Sequence, residues 1–162
     1  MRNPILTLLI FLLIPAIAFA VEVGKPAPGF TLETPDGQSV SLADYKGKVV
    51  LLKLATTWCP SCKELSKNLV AIGDFLKEKD VVLIEVYIQD TPDMVESYDK
   101  GMVYPMTRKV LIDDRQVYDA YRIFAIPRFL VVDREQKVRF DNAPSAAIPP
   151  AEEIRKLVES AL

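Results

Sequence analysis

Apolar runs of strand length alternate with amphipathic runs of helix length along most of the chain. Residues 49–55 are apolar except for Lys53, which predicts a strand buried on both faces of a sheet. Residues 81–88 predict a second long strand. Polar turns separate two further pairs of short segments, which predict two hairpins, at residues 30–32 with 39–42 and at residues 129–133 with 138–140.

Helical periodicity follows the first long strand. Apolar side chains recur there at steps of four, three and four residues, at Leu65, Leu69, Ile72 and Leu76. Gly73 is a weak point in the single helix that this stripe predicts. Further helices are predicted at residues 91–100, with Thr91 as cap, at residues 115–121 and from about residue 150 onwards. This order of strands and helices predicts an α/β domain whose mixed sheet is covered on both faces.

The first twenty residues have the pattern of a secretory signal. Arg2 supplies positive charge, residues 5–14 are almost wholly apolar, and Ala18-Phe19-Ala20 offers small residues for cleavage. We expect cleavage of residues 1–20 and a single domain over residues 21–162; an uncleaved membrane anchor is the alternative. No cysteine lies near the cleavage site, which excludes an amino-terminal lipoprotein. Export leads to the periplasm or another extracytoplasmic compartment, where disulfides persist.

Composition narrows the chemistry that this domain can perform. The chain has 162 residues, of which 50% are apolar, enough for one globular core. A net charge of -2 provides no basic field, so we expect no nucleic-acid partner. The sequence contains no histidine, which excludes histidine general bases and most zinc or haem sites. No metal site is predicted.

Both cysteines of the chain stand in Cys59-Pro60-Ser61-Cys62, between a predicted strand and a predicted helix. If Cys59 caps the helix, Pro60 takes the first helical position, where its missing N–H costs nothing. The N–H groups of Ser61 and Cys62 then point at the Cys59 sulfur and, with the helix dipole, lower the pKa of its thiol. Cys62 lies one turn later and is placed to attack the mixed disulfide. Trp58 is an apolar neighbour that is suited to partner docking.

Other uses of the cysteine pair fit the sequence less well. A structural disulfide over so short a loop constrains little chain entropy. A zinc site needs about four ligands, and neither histidine nor a second cysteine pair supplies them. A c-type haem site needs histidine directly after Cys62, where Lys63 stands. We therefore predict a redox-active Cys59–Cys62 disulfide that works without another cofactor.

Several stretches carry a family pattern, at residues 46–52, 55–63, 24–30 with Asp36-Gly37, and 119–133. Together they resemble the TlpA/ResA-type thioredoxin-like family. The resemblance implies a thioredoxin fold, with a central mixed β-sheet, helices on both faces and an amino-terminal β-hairpin extension. It also implies a cis peptide at Ile126-Pro127 that faces the cysteines and offers Ile126 backbone groups to a bound peptide strand. Arg128 stands where thioredoxins often have threonine, and we expect it to place positive charge beside the site.

The same resemblance makes Lys53 unusual. Thioredoxins typically bury an acid at this position, opposite a lysine on the neighbouring strand, where Glu85 aligns here. We infer a charge-reversed pair, because a lone buried lysine is costly. One hypothesis is that Lys53 favours a Cys62 thiolate while Glu85 or Glu64 relays protons; the alternative is that Lys53 snorkels to the strand end and Glu85 is exposed. ResA-like members have a glutamate where Leu65 stands, one place after Glu64.

Two classes of function compete. The first is an exported, monomeric thiol–disulfide oxidoreductase; the resemblance implies a reductant of protein clients such as apocytochrome c, recharged by a membrane thiol reductase of DsbD or CcdA type. A general disulfide-forming oxidant is a variant, because the sequence leaves the direction of electron flow open. The second is a thiol peroxidase: Thr56 has the peroxiredoxin spacing to Cys59, but Leu52 stands where those enzymes have proline. The intact cysteine pair argues against a non-catalytic binding domain.

Overall fold

The structure, a computed structural model, describes residues 21–162 and is built around one seven-stranded sheet. The predicted signal segment, residues 1–20, lies outside the described residues. The strands are β1 (Thr31–Glu33), β2 (Ser39–Ser41), β3 (Val50–Ala55), β4 (Val82–Tyr87), β5 (Thr107–Ile112), β6 (Arg128–Val132) and β7 (Val138–Asp141). The helices are α1 (Pro60–Ala71), α2 (Gly73–Glu78), α3 (Pro92–Asp99), α4 (Gln116–Ala120) and α5 (Ala151–Ala161), with a short 3-10 helix at Leu42–Tyr45.

The sheet is mixed, with the strand order β2-β1-β5-β4-β3-β6-β7. β4 runs parallel to both β3 and β5, and β6 is antiparallel to β3. β1 and β2 form the predicted amino-terminal hairpin, and β6 and β7 form the second predicted hairpin. Because β3 and β4 are parallel neighbours, the loops that follow them meet at one edge of the sheet. The cysteines lie in the first of these loops.

β5 is the strand that the hydrophobic pattern did not predict. It opens with the polar residues Thr107, Arg108 and Lys109. The Arg108 side chain is mostly buried and is held by two acidic side chains. A strand that begins with charged residues lacks the apolar alternation by which strands are recognised in a sequence. β5 is therefore identified only by its pairing with β4 and β1 in the structure.

The helix after the cysteines is interrupted. The apolar stripe predicted one helix through Leu76, but α1 ends at Ala71 and α2 begins at Gly73. Ile72 between them departs from helical geometry, with φ -110 and ψ 16. Gly73 approaches Pro105 so closely that a Cβ atom there would collide with the proline ring. The prediction of one continuous helix is therefore wrong, although the stripe itself is buried.

Helices cover both faces of the sheet, as the predicted fold class requires. On one face, α1 and α5 pack on apolar side chains that include Leu51, Leu83, Phe129 and Val131. On the other face, α4 and the 3-10 helix pack on a second core that includes Leu52, Ile84, Leu130 and Val117. Within residues 21–162, every helix is too short or too polar to cross a membrane.

Candidate active site

The two cysteines lie at the start of α1, just after the loop that follows β3. Cys59 is the N-cap of α1, and its Sγ accepts a hydrogen bond of 3.1 Å from the Cys62 N–H. Pro60 is the first residue of the helix. The predicted N-cap is confirmed, with Cys62 rather than both Ser61 and Cys62 as the backbone donor to the sulfur. A backbone donor and the positive end of the helix dipole thus meet at the Cys59 sulfur, and both favour negative charge there.

The cysteines are joined in a disulfide, with their Cα atoms 5.2 Å apart. Cys59 is 5% exposed and Cys62 is 1% exposed, so Cys59 is the sulfur nearer to solvent. The residues around Cys59 are open: Trp58 is 61% exposed, and Pro60 and Ser61 are exposed as well. This arrangement suits Cys59 to attack an external disulfide and Cys62 to attack Cys59 from below.

A buried carboxylate fixes the loop that leads to the first cysteine. Asp90 accepts two hydrogen bonds of 2.8 Å from Thr57, one from its backbone N–H and one from its hydroxyl. Asp90 follows β4, so the contact joins the loops of two neighbouring parallel strands. Sequence reasoning missed Asp90, although an acid just beyond the carboxyl end of a buried strand was an available signal.

The Ile126-Pro127 peptide is cis, as the resemblance implied. Ile126 is partly buried and packs against the small cluster that contains both cysteines. The Asn142 side chain anchors the segment from Pro127 to Phe129. Its Nδ2 donates to the Pro127 carbonyl at 3.0 Å, and its Oδ1 accepts from the Phe129 N–H at 2.8 Å. Asn142 was not identified from the sequence. The cis peptide therefore lies beside the disulfide on a firmly held strand start.

The predicted role of Arg128 is wrong. Its guanidinium is buried and forms an ion pair with Asp141, with Nη2–Oδ2 at 2.6 Å and Nε–Oδ1 at 3.1 Å. It also donates to the Tyr121 carbonyl. The charge is thus compensated within the fold and adds no free positive charge beside the cysteines.

Lys53 and Glu85 form the predicted buried pair. Their Cα atoms are partners in the β3–β4 ladder, and Lys53 Nζ lies 2.5 Å from Glu85 Oε1. Their side chains are 1% and 0% exposed, which rules out the alternative of a snorkelling lysine and an exposed glutamate. Lys53 Nζ also donates to Ser66 Oγ at 2.5 Å, and Ser66 donates to the Cys62 carbonyl at 3.1 Å. The ammonium is therefore connected to the helical turn that carries Cys62.

Glu85 has a second cation that the sequence did not indicate. Arg108 Nε donates to the other carboxylate oxygen, Oε2. Arg108 Nη1 lies 2.6 Å from Asp99 Oδ1, and the guanidinium stacks on the Tyr104 ring at 4.4 Å. Burial opposes the charge of Arg108, but the carboxylates of Glu85 and Asp99 outweigh burial and raise its pKa. Arg108 is therefore a permanent cation in this cluster.

Tyrosine hydroxyls border the same cluster. Burial, reinforced by the negative charge of Glu85, raises the pKa of Tyr87 and of Tyr104. The same two causes raise the pKa of Tyr98. Tyr87 also belongs to the apolar cluster that contains the cysteines. These hydroxyls stay protonated across the physiological pH range and carry no charge themselves.

Glu64 lies apart from this cluster. Its side chain is exposed on α1, so the structure does not bring it together with Lys53 and Glu85. Among residues 21–162, no three His, Cys, Asp or Glu side chains are grouped in a way that could hold a metal ion.

A hollow of about 170 Å³ lies next to the active-site loop and is lined by polar as well as apolar residues. Its lining includes Trp58, Phe124 and Ile126. Phe124 is 93% exposed, which is unusual for a large aromatic side chain. Sequence reasoning did not identify Phe124; its position just before the cis peptide was the available signal.

Comparison with known proteins identifies the family. The model of the AhpC/TSA family matches residues 23–141. The thiol-disulfide oxidoreductase ResA of Bacillus subtilis is 33% identical over 121 residues, which cover 74% of this chain and 66% of that protein. ResA of Geobacillus thermodenitrificans is 29% identical over 123 residues, which cover 74% of this chain and 68% of that protein.

Solved structures share the fold. A Bacteroides vulgatus protein, provisionally assigned as a thiol-disulfide oxidoreductase, superposes with a TM-score of 0.73 at 30% identity, over 88% of this chain and 98% of its own. A thiol:disulfide interchange protein from Chlorobium tepidum gives a TM-score of 0.71 at 23% identity, over 85% of this chain and 95% of that protein's chain. With the matched family model and the ResA relatives, these likenesses lead to one conclusion: the chain belongs to the AhpC/TSA family, among the thiol–disulfide oxidoreductases of TlpA/ResA type.

Proposed function

We propose that this thiol–disulfide oxidoreductase is an exported reductant of protein disulfides, in which Cys59 attacks the client and Cys62 releases it. The observation that carries the proposal is the Cys59 sulfur at the N-cap of α1, with the Cys62 N–H directed at it. This position stabilises a thiolate. Cys62 is close enough to form the disulfide yet nearly inaccessible to clients, which supports a resolving role.

The reaction proceeds in two exchanges. The Cys59 thiolate attacks one sulfur of the client disulfide, a mixed disulfide forms, and the other client sulfur leaves as a thiolate. Cys62 then loses its proton and attacks Cys59 Sγ; the Cys59–Cys62 bond forms and the second client sulfur leaves. Two electrons pass to the client, whose two thiolates take up the Cys62 proton and one proton from water. The protein ends oxidised.

The surface beside the disulfide supports an extended polypeptide as the client. Ile126 precedes the cis peptide and borders the cysteine cluster, where its backbone is suited to pair with a client strand. Trp58 and Phe124 flank the hollow next to it and offer apolar contact for a client side chain. The two exposed aromatic rings thus favour a protein over a small polar disulfide.

Lys53 supports the second exchange in this proposal. Its ammonium is buried and reaches the Cys62 turn through Ser66, so its positive charge favours a thiolate on Cys62. Glu85 holds Lys53 in place and is the one of the two proposed relay carboxylates that lies beside it, whereas the exposed position of Glu64 gives that residue no support as a relay.

The family resemblance supports apocytochrome c as one client and a membrane thiol reductase of DsbD or CcdA type as the electron donor. Both are consistent with export through residues 1–20 to the periplasm or a similar compartment, with the protein working as a monomer. Such a compartment oxidises thiols, so a reductant there needs a dedicated supply of electrons.

The proposal is tested by the direction and specificity of electron transfer. We expect the reduced protein to reduce a disulfide-bonded protein client, and we expect a redox titration against glutathione to give a strongly reducing potential. Cys59→Ser should abolish turnover. An oxidising potential, close to that of a disulfide-forming enzyme, would reverse the proposed direction.

A peroxide assay distinguishes the proposed disulfide reductase from the alternative, a thiol peroxidase. In a thiol peroxidase, Cys59 is oxidised by hydrogen peroxide and water is released. We expect the reduced protein to consume peroxide far more slowly than protein disulfides at equal concentration. Peroxide consumption faster than disulfide reduction would instead support peroxidase function.

The role of Lys53 is tested by following Cys62 thiolate formation against pH in Lys53→Met. We expect the midpoint to rise by about one pH unit, because the positive charge near Cys62 is lost. An unchanged midpoint would remove Lys53 from the mechanism and leave it with a structural role.

A further inference from the structure

The buried charges beneath the disulfide form a row that reaches the protein surface. Glu85 and Lys53 are 0% and 1% exposed. Arg108, on the far side of Glu85, is 11% exposed, and its partner Asp99 on α3 is 33% exposed. Each neighbour in the row has the opposite charge. Solvent therefore screens the outer carboxylate most and the inner groups hardly at all.

Arg108 decides the net charge of the inner part of this row. Lys53 and Arg108 each contact one oxygen of the single carboxylate of Glu85. Two cations against one anion leave one positive charge in a region that is almost closed to solvent. Without Arg108, Lys53 and Glu85 would form a neutral pair.

That surplus charge lies near the second cysteine. Lys53 contacts Ser66, and Ser66 contacts the backbone carbonyl of Cys62. Cys62 is 1% exposed and shares a cluster with Tyr87, which stands two residues after Glu85 on β4. A charge in this low-dielectric region acts on the sulfur with little screening.

We propose that Arg108 is a positioning residue for Cys62: by taking the second oxygen of Glu85, it leaves the Lys53 ammonium only partly neutralised and so favours the Cys62 thiolate. The proposal deepens the proposed function and rests on it for its consequence, the release of the client. Arg108 acts on Cys62 through Glu85, Lys53 and Ser66.

The other polar groups around the cluster do not change this balance of charge. Tyr87, Tyr98 and Tyr104 remain neutral because burial, with the charge of Glu85, raises the pKa of each. Lys63 is exposed over the Tyr98 ring, 5.5 Å from its centroid, and Asp90 is bound to Thr57 in the active-site loop. The charged and titratable groups around this cluster and the cysteines are Lys53 on β3, Glu85 and Tyr87 on β4, Asp90 after β4, Lys63 on α1, Tyr98 and Asp99 on α3, Tyr104 before β5, and Arg108 on β5.

The test follows the ultraviolet absorbance of the Cys62 thiolate against pH in a Cys59→Ser background. The Cys59→Ser/Cys62→Ser protein serves as the blank for tyrosine absorbance. Adding Arg108→Gln should raise the midpoint by about one pH unit and cut the thiolate fraction at neutral pH about tenfold. Arg108→Lys, which keeps the charge, should return the midpoint most of the way to its value with Arg108 in place.

Asp99→Asn is the matched control, because it breaks the same ion pair from its other end. It removes a negative charge, so it should lower the midpoint, opposite to Arg108→Gln. A purely structural role for the ion pair would move both variants in the same direction. An unchanged midpoint in Arg108→Gln, or a raised midpoint in Asp99→Asn, would overturn the proposal. If Arg108→Gln does not fold, the sign of the Asp99→Asn shift still decides.

This titration is independent of turnover. Shifts of opposite sign in a protein that fails to reduce disulfides would support the charge balance while refuting the proposed function. Unshifted midpoints in an active protein would overturn the role of Arg108 and leave the proposed function intact.

Discussion

Removal of either partner of the Lys53–Glu85 pair should destabilise the protein, but by different amounts. In Glu85→Gln, Lys53 loses its ion-pair partner while its side chain stays 1% exposed, and Arg108 keeps only Asp99. An uncompensated buried charge of this kind costs about 3–5 kcal/mol. In Lys53→Met, Glu85 retains Arg108, and methionine fills a similar volume. We expect this variant to lose only about 2 kcal/mol.

Urea unfolding of the oxidised proteins measures both losses as free energies of unfolding. Single domains are stable by about 5–15 kcal/mol, so the larger loss is a substantial fraction of the whole. The double variant Lys53→Met/Glu85→Gln should lose less than the sum of the two, because no unpaired lysine remains.

The asymmetry depends on Arg108 sharing the Glu85 carboxylate. If Glu85→Gln and Lys53→Met lose equal free energies of unfolding, or if Lys53→Met loses more, that arrangement is refuted.

Three further predictions concern the site and its support. Cys62→Ser should trap a client on Cys59 as a mixed disulfide visible by mass spectrometry, since the resolving sulfur is gone; an absence of adduct with a reducible client would contradict the assigned order of attack. Phe124→Ser should raise KM for a protein client several-fold yet leave the unfolding midpoint unchanged, because the ring is 93% exposed; equal KM values would exclude Phe124 from docking. Gly73→Ala should lower the free energy of unfolding by about 1–3 kcal/mol through its collision with Pro105, and a loss below that range would show that the loop moves aside freely.

Features that depend on neighbours in sequence were predictable. The cap formed by Cys59 and Pro60 involves one turn of chain, so the order of residues fixes which N–H faces the sulfur. The long strands were predicted because both faces of a central strand are apolar. The cis peptide at Ile126-Pro127 and the pairing of Lys53 with Glu85 came from the family pattern, which carries tertiary information that a single sequence lacks.

Features that depend on distant segments were not predictable. Thr57 meets Asp90 across 33 positions, and Arg108 meets Glu85 across 23. Arg128 was expected to face the site, but Asp141 on the adjacent strand neutralises it inside the fold. A charged residue in a strand has no preferred partner until strand order and register are set, and these are set by packing of the whole sheet.

The sequence by itself therefore determined the reactive pair, its helix cap and the family of the fold, because these rest on local geometry and on a pattern of residue types. Only the tertiary structure decided how charge is balanced beneath the cysteines. That balance depends on which side chains are brought within a few ångströms in a region without water, where one additional cation such as Arg108 changes the field on a buried sulfur.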